Sequence, residues 1–498
     1  MSLRAPRILI ALGAMLLTGA CSRRAGVPTP DDGPPRVMRE MRGLWVATVR
    51  NIDWPSDDSL PADRQREELV DILDRAVAEG FNAIVFQVRP AADAVYRSEL
   101  EPWSVLLSGR QGTDPGYDPL AFAIEQAHAR GLELHAWINP FRAGNASDTL
   151  VFASTHLWNA RRELVRVYSA QVWLDPGEPD AREHSMRVVT DIVRRYDIDG
   201  IHMDDYFYPY PVRDSVRGGN LAFPDSASYA RSGSSLDVHD WRRENIDRFV
   251  EHLYRESHAI KPMIKVGISP FGIWRPGNPP SVAGFDAYAE IYADARKWLR
   301  EGWIDYFVPQ LYWAIDAPQQ SFPALLDWWL GENVMNRHVW PGLATYRAAA
   351  TSNGFSRDEI ARQVQLIRQR PAPPGHIMFN TTTTLKRDNG VLATLRPLYE
   401  RRALMPSFPW LDSTAPPAPT LAVRDGTLRI AASGEAPRFW LIQWRTRGSF
   451  FRGPRWTSSV TDGAKSSFTL SREVDRVVVT AIDHAGNAST PAEYRAGP

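Results

Sequence analysis

Asp199-Gly-Ile-His-Met-Asp-Asp-Tyr-Phe-Tyr-Pro-Tyr-Pro211 is a short apolar strand that runs into two carboxylates and then into a cluster of aromatic rings. Side chains alternate along a strand, so Ile201 and Met203 share one face while His202 and Asp204 share the other. In a parallel sheet covered on both faces, the apolar pair meets helices and Asp204 points into a barrel or cleft. An aspartate at the carboxyl end of such a strand, with Tyr206, Tyr208 and Tyr210 just beyond it, supplies groups suited to oxocarbenium chemistry beside a ring-stacking platform. The plainer alternative is an Asp pair that caps the following loop.

Working outward from that strand, short apolar runs alternate with amphipathic helical patterns from Arg39 onward, the signature of a parallel sheet with helical crossovers. Strands are expected at 43–50, 83–89, 133–139, 200–204, 265–270, 306–312, 339–346 and 376–381. Helices are expected at 64–79, 120–130, 181–196, 237–259, 287–300, 323–330, 357–368 and 391–402, each with apolar residues at three- and four-residue spacing. The fold class is therefore α/β, and eight such units close into a (β/α)8 TIM barrel over 37–411, with its chemistry at the carboxyl ends of the strands. An open doubly wound sheet is the competing arrangement, but no Gly-rich phosphate loop follows the first strand. Long segments at 141–179, 206–236 and 271–286 all fall on the active face and are expected to be functional loops.

Residues 412–419, Asp-Ser-Thr-Ala-Pro-Pro-Ala-Pro, form a Pro-rich linker. Beyond it, 420–498 reads as a small all-β sandwich whose run from Val477 to Ser489 resembles the last hairpin of a fibronectin type III module. At the other end, Arg4 and Arg7, the apolar run 8–17 and Thr18-Gly-Ala20 precede Cys21, the single cysteine of the chain. That pattern is similar to a lipoprotein signal over 1–21 with Cys21 as the lipidation site. Ser22 after the cysteine fits sorting to the outer membrane, and 22–36 reads as a flexible tether. The expected location is thus the bacterial envelope, facing the periplasm, with the membrane as a partner through the lipid.

Lys+Arg and Asp+Glu both number 58, so no basic footprint argues for nucleic acid. The 18 Trp and 16 Tyr suit sugar stacking as well as core filling. The 11 His include no metal-ligand spacing, so neither a metal nor another cofactor is expected. Projecting the alternation onto the other strands brings Gln87 and Arg89, then His135, Trp137 and Asn139, then Gln310 and Tyr312, toward the same end as His202 and Asp204. A purely structural barrel fills its interior with branched apolar residues, so this convergence favours a polar site. Asp53 and Asp175 read as turn or cap residues, and Asp93 as either a turn residue or a substrate contact.

Several ordered motifs carry a family resemblance. Arg39-Glu-Met-Arg-Gly-Leu-Trp-Val-Ala-Thr-Val-Arg-Asn-Ile-Asp-Trp-Pro55, Gln87-Val-Arg-Pro-Ala-Ala-Asp-Ala-Val-Tyr96, His135-Ala-Trp-Ile-Asn-Pro-Phe-Arg142, the 200–211 stretch, Gly267-Ile-Ser-Pro-Phe-Gly-Ile-Trp274, Tyr292-Ala-Asp-Ala-Arg-Lys-Trp298 and Gly302-Trp-Ile-Asp-Tyr-Phe-Val-Pro-Gln-Leu-Tyr-Trp313 together resemble the glycosyl-hydrolase-like family 10 lipoproteins. The resemblance implies a TIM-barrel glycoside hydrolase of the envelope, and one member class cleaves peptidoglycan glycan strands freed of stem peptides.

Glycoside hydrolysis ordinarily needs two carboxyl groups. Strand parity makes Asp204 the expected nucleophile or base. The acid stays open between Asp205, beside it, and Asp294, which fits the family's Tyr-Ala-Asp motif; Glu290 lies outside that motif. Arg89, Asp93, His135, Asn139, His202, Gln310 and Tyr312 are the expected polar contacts to substrate, with Trp137, Tyr206, Trp274 and Trp313 as ring platforms. A polysaccharide deacetylase and a barrel that binds glycans without cleaving them are the remaining alternatives.

Overall fold

The computed structural model describes residues 33–216, 218–348, 354–386, 390–448 and 453–496. The expected signal segment and Cys21 lie outside the described residues. The central sheet comprises β1 (Met41–Val46), β2 (Ala83–Arg89), β3 (Glu133–Ile138), β4 (Gly200–Met203), β5 (Lys265–Ile268), β6 (Tyr306–Phe307), β7 in two segments (His338–Val339 and Gly342–Ala344) and β8 (Gly375–Phe379). Every neighbouring pair is parallel, and β8 returns to β1 with Ile377 opposite Gly43. The ring closes through β7, whose first segment pairs with β6 and whose second pairs with β8. Pro341 lacks the N–H that a central strand needs, which is why β7 is split. Trp340 N and Gly342 N, donating to Phe307 O at 2.8 Å and Pro309 O at 2.9 Å, carry the ladder across the break.

The crossovers are α1 (Ala62–Ala78), α2 (Pro119–Ala129), α3 (Pro179–Arg195), α4 (Val238–Ile260), α5 (Ala295–Glu301), α6 (Phe322–Glu332), α7 (Glu359–Arg368) and α8 (Val391–Tyr399). Their starts follow local chemistry: the Asp118 carboxylate accepts from Ala121 N ahead of α2, and Asp237 accepts from His239 and Asp240 N ahead of α4. The expected helix 287–300 is two pieces, Ala287–Glu290 and α5, because Asp294 caps a fresh helix there. The segment 141–179 holds a three-stranded antiparallel sheet of Arg142–Asn145, Gln171–Leu174 and Val165–Tyr168. The segment 206–236 contains the helix Ser226–Ser232.

Burial on both strand faces produces two separate apolar layers. Leu44, Ile84, Phe86, Ile201, Met203 and Val266 face outward against helix residues such as Leu69, Leu120, Val189 and Ile192. Met41, Trp45, Val85, Trp137, Tyr306, Trp340 and Ile377 fill the interior instead. Glycines make room for these large groups. A Cβ on Gly267 would lie 2.0 Å from the Tyr306 ring, and one on Gly200 would lie 2.3 Å from His135 Nδ1.

After the barrel, Thr420–Arg424, Thr427–Ala431 and Ser467–Thr469 form one antiparallel sheet, and Arg455–Asp462, Phe439–Thr446, Val474–Ile482 and Ala492–Arg495 form another. Leu428, Ile430, Trp440, Ile442, Val477 and Val479 build their common core. These sheets rest against the amino-terminal ends of the barrel strands, the floor, where Phe408 N donates to Ala485 O at 2.8 Å and Arg39 Nη1 donates to Gly486 O at 2.6 Å.

Candidate active site

At the opposite, carboxyl-terminal mouth lies a cavity of about 640 Å³. Its walls come from the ends of six strands: Trp45, Gln87, Trp137 and Asn139, Asp204 and Asp205, Ser269, and Phe379, with Tyr206, Tyr210, Gln310 and Tyr312 from the segments that follow. The small sheet inserted after β3 adds Arg142, Asn145 and Gln171. Rings on several sides of two carboxylates make a slot suited to a sugar, whose ring presents apolar faces and polar edges.

Asp204 leaves β4 pointing inward, as its parity requires. Its carboxylate accepts from Trp137 Nε1 at 3.2 Å and from Tyr206 N at 3.3 Å. Burial and the neighbouring Asp205 push it well above the usual carboxylate range, with Arg142 opposing only weakly. Asp205 is raised as well, again chiefly by burial, but the Tyr210 hydroxyl donates to it and the Gln310 amide steadies its anion. The pair therefore retains a proton that two exposed aspartates would lose, with Asp204 the better place to hold it. Gln310 Nε2 also donates to Ser269 O at 3.0 Å. Gln87 Nε2 and Ser269 Oγ, both buried on the cavity wall, have no hydrogen-bond partner among the described residues and are available to a ligand.

Of the residues expected from sequence, Asp204, Asp205, Trp137, Asn139, Tyr206, Gln310 and Tyr312 meet at this cavity. His135 and His202 sit one layer below, in the barrel interior. The Tyr306 hydroxyl meets Nδ1 of both, at 2.8 Å and 3.1 Å, and His202 Nε2 accepts from Trp45 Nε1 at 3.4 Å. Burial, with His135 beside it, pushes His202 well below its usual range, so it is neutral and supports the floor of the slot.

The remaining expected contacts are not on the cavity wall. Arg89 follows a bulge: Gln87 pairs with Trp137, but Arg89 pairs with Ile138, so the extra residue turns Arg89 toward the helical layer. There it holds Glu101 at 2.5 Å and donates to Asn139 O at 2.5 Å and Pro140 O at 3.0 Å. Asp93 is buried beneath the loop, where burial raises it to about 6. Asp294 is the cap of α5, accepting from Lys297 N at 3.3 Å and from Trp274 Nε1 at 3.0 Å. Trp274 stacks on Trp328, and Trp313 packs edge-on against Phe271. Asp53 and Asp175 behave as structural turn residues: Asp53 accepts from Ala47 N and Thr382 N, and Asp175 from Gly177 N and Ser228 Oγ.

Tyr210, expected with Tyr206 and Tyr208 as part of the ring platform, is on this wall, whereas Tyr208 is not; Trp45, Ser269, Arg142 and Phe379 also belong to the wall and are not among the expected contacts. Strand parity could have found Trp45, the last inward side chain of β1. The bond from the Tyr210 hydroxyl to Asp205 could not have been found that way, since it reaches back five residues across an irregular loop. A second cavity, of about 720 Å³, lies on the other side of the 206–211 loop, lined by Tyr208, Arg242, Arg243, Tyr288 and Tyr292 among others. Its acidic lining residues are Asp237, which caps α4, and Glu290, bonded to Asn220 at 3.0 Å, so no carboxylate pair faces into it.

A parallel eight-stranded barrel with paired carboxylates among aromatic rings at its mouth defines a TIM-barrel glycosidase. The sequence model described as "Glycosyl hydrolase-like 10" matches residues 40–356, and the chain belongs to that family; it is a glycoside hydrolase. It is 41% identical over 399 residues to "Glycosyl hydrolase YngK" of Bacillus subtilis (strain 168), covering 77% of this chain and 76% of that protein. It is 31% identical over 415 residues to "Glycosyl hydrolase DigH" of Escherichia coli (strain K12), covering 76% of this chain and 93% of that one. Among solved structures, the glycoside hydrolase domain of PgaB (BpsB) from Bordetella bronchiseptica aligns at 12% identity and TM-score 0.47, over 72% of this chain and 98% of that one.

Proposed function

We propose that this protein cleaves the glycan strands of peptidoglycan after their stem peptides have been removed, working from the periplasmic side of the outer membrane through a lipid on Cys21. The observation that carries the glycan reading is the Asp204–Asp205 pair in an aromatic slot at the barrel mouth. Two guanidinium groups in the same wall, Arg50 and Arg142, have no ion-pair partner among the described residues and suit a polymer that carries free carboxylates once its peptides are gone. The leader ending in Gly-Ala-Cys supports the location, and the strand order of the two C-terminal sheets supports a fibronectin type III-like module.

In this reading Asp204 carries the proton for the leaving oxygen and Asp205 works as the anion, because Tyr210 and Gln310 stabilise charge on Asp205 alone. Strand parity by itself favours Asp204 as the nucleophile or base; the hydrogen bonds around the pair favour the reverse division of labour. Incubating the full chain with intact and with peptide-free glycan strands, then sizing the products, tests the substrate. Shortening of the peptide-free strands is expected. Acetate release without shortening would point to deacetylation, and binding without either change would leave a glycan-binding barrel.

A further inference from the structure

The two carboxylates of the cavity are consecutive residues at the end of a single strand, and that placement bears on which atom attacks the sugar. A glycosidase with a protein nucleophile or base needs its carboxyl groups on opposite faces of the sugar ring, about 5 to 9.5 Å apart. Here the walls facing β4 present Trp45, Gln87, Gln310, Tyr312 and Phe379, with no carboxylate among them. Among the described residues no acidic group besides Asp204 and Asp205 lines the cavity, and three that lie near it are committed elsewhere. Asp53 binds two backbone N–H groups, Asp294 caps α5, and Glu101 is locked to Arg89 and His184. Asp205, by contrast, is positioned by the Tyr210 hydroxyl and lies beside aromatic surface able to receive a methyl group.

We infer that the nucleophile is the substrate's own 2-acetamido group, with Asp204 as the general acid and Asp205 as the residue that holds the acetamido N–H. This rests on the reading of the substrate as an N-acetylated glycan. In the first step the acetamido carbonyl oxygen bonds to C1 as the C1–O bond to the leaving sugar breaks. The Asp204 proton passes to the departing oxygen, and the Asp205 carboxylate accepts a hydrogen bond from the N–H of the resulting oxazolinium ring. In the second step water adds to C1 from the face the leaving group vacated. It gives its proton to Asp204 as the C1–O bond of the five-membered ring opens, which restores the acetamide and the acid. The arrangement needs no second carboxylate across the slot, and the product keeps its anomeric configuration.

The test uses the full-length protein and three probes. A thiazoline fused to N-acetylglucosamine across C1 and C2, which mimics the ring intermediate, should inhibit competitively and bind at least about 10²-fold tighter than substrate. Chemically de-N-acetylated strands should be cleaved about 10³-fold more slowly, and re-N-acetylation should restore the rate. Proton NMR of the first product should show the retained anomer. Asp205→Asn should lower kcat about 10²-fold or more with KM little changed. An inverted product, equal cleavage of de-N-acetylated strands, or a glycosyl azide of inverted configuration formed by Asp205→Ala in azide would each overturn acetamido attack while leaving the glycosidase reading standing. Failure of the wild-type protein to cut any N-acetylated strand would overturn the substrate reading, and this inference with it.

Discussion

Buried carboxylates occur at both ends of the barrel, and the two ends treat them in opposite ways. At the floor, Glu133 is paired with Lys265 at 2.7 Å and His135 at 3.1 Å, and Asp305 with His258 at 3.1 Å. Asp199 meets Arg438 Nε at 2.6 Å and His128 Nε2 at 2.9 Å. Burial alone would raise Asp199, but Arg438, His128 and Lys265 outweigh it and hold the group well below its ordinary range. At the mouth, Asp204 and Asp205 line one cavity with aromatic walls, and both are raised. A buried carboxylate with a cation beside it is part of the scaffold; one left with a like charge and a proton is kept for chemistry.

The contrast is tested most severely at Asp204. Asp204→Asn should cut turnover of glycan strands about 10³-fold, the scale of a lost general acid. It should also raise the melting temperature. The native carboxyl binds its proton more tightly than the unfolded one, so wild-type stability falls as pH rises above about 4. Asn removes that loss, and the advantage in melting temperature should therefore grow from about pH 4 toward neutrality. A variant that is both slow and less stable would break the contrast.

The floor should respond in the reverse sense. Arg438→Met leaves Asp199 buried without its main cation and should cost about 3–5 kcal/mol in urea unfolding, while folded protein keeps wild-type kcat. Because Asp199 is depressed in the native state, its contribution is present above the unfolded pKa and disappears as pH falls through the folded one. The gap between wild type and variant should thus close below about pH 4. Ending the chain near Ser413 removes the same cation together with the apolar cover from Phe439 and Leu441, so the shortened barrel should melt at least as early as Arg438→Met.

The smallest effect is expected at Asp294, a carboxylate near the mouth that behaves like those at the floor. Asp294→Ala removes a helix cap worth about 1 kcal/mol and should lower the melting temperature slightly, with turnover kept within about threefold. A loss of activity comparable to that of Asp204→Asn would make Asp294 the acid after all.

Most of the barrel can be read from the sequence because parallel strands buried on both faces appear as near-continuous apolar runs with helical patterns between them. Alternation along those runs also leads directly to Trp137, Asp204 and Gln310. It misleads at Arg89, where one extra residue at the bulge reverses the facing of everything after it. In the sixth strand the regular pairing covers only Tyr306 and Phe307 ahead of Pro309, yet Val308 and Gln310 keep the inward parity of Tyr306. The ion pair between Asp199 and Arg438 joins positions 239 residues apart, and no local pattern announces it. The same is true of the Gln87 amide, whose Oε1 accepts from Thr48 N at 3.0 Å and Val49 N at 2.9 Å and thereby leaves its Nε2 facing the cavity.

The C-terminal sheets also fix a direction. Gln443 Nε2 donates to Pro35 O at 2.8 Å, so the chain enters the barrel on the floor side, alongside those sheets and a full barrel length from the carboxylates. With a lipid on Cys21 as proposed, the stretch from there to Gly33 would reach at most about 40 Å when fully extended. An enzyme leashed in this way would lie tail-first on its membrane with its mouth turned outward. Its working range would be a shallow shell of periplasm set by leash plus barrel, so lengthening the 22–32 segment should change which layer of the wall it can graze without changing how fast it cuts.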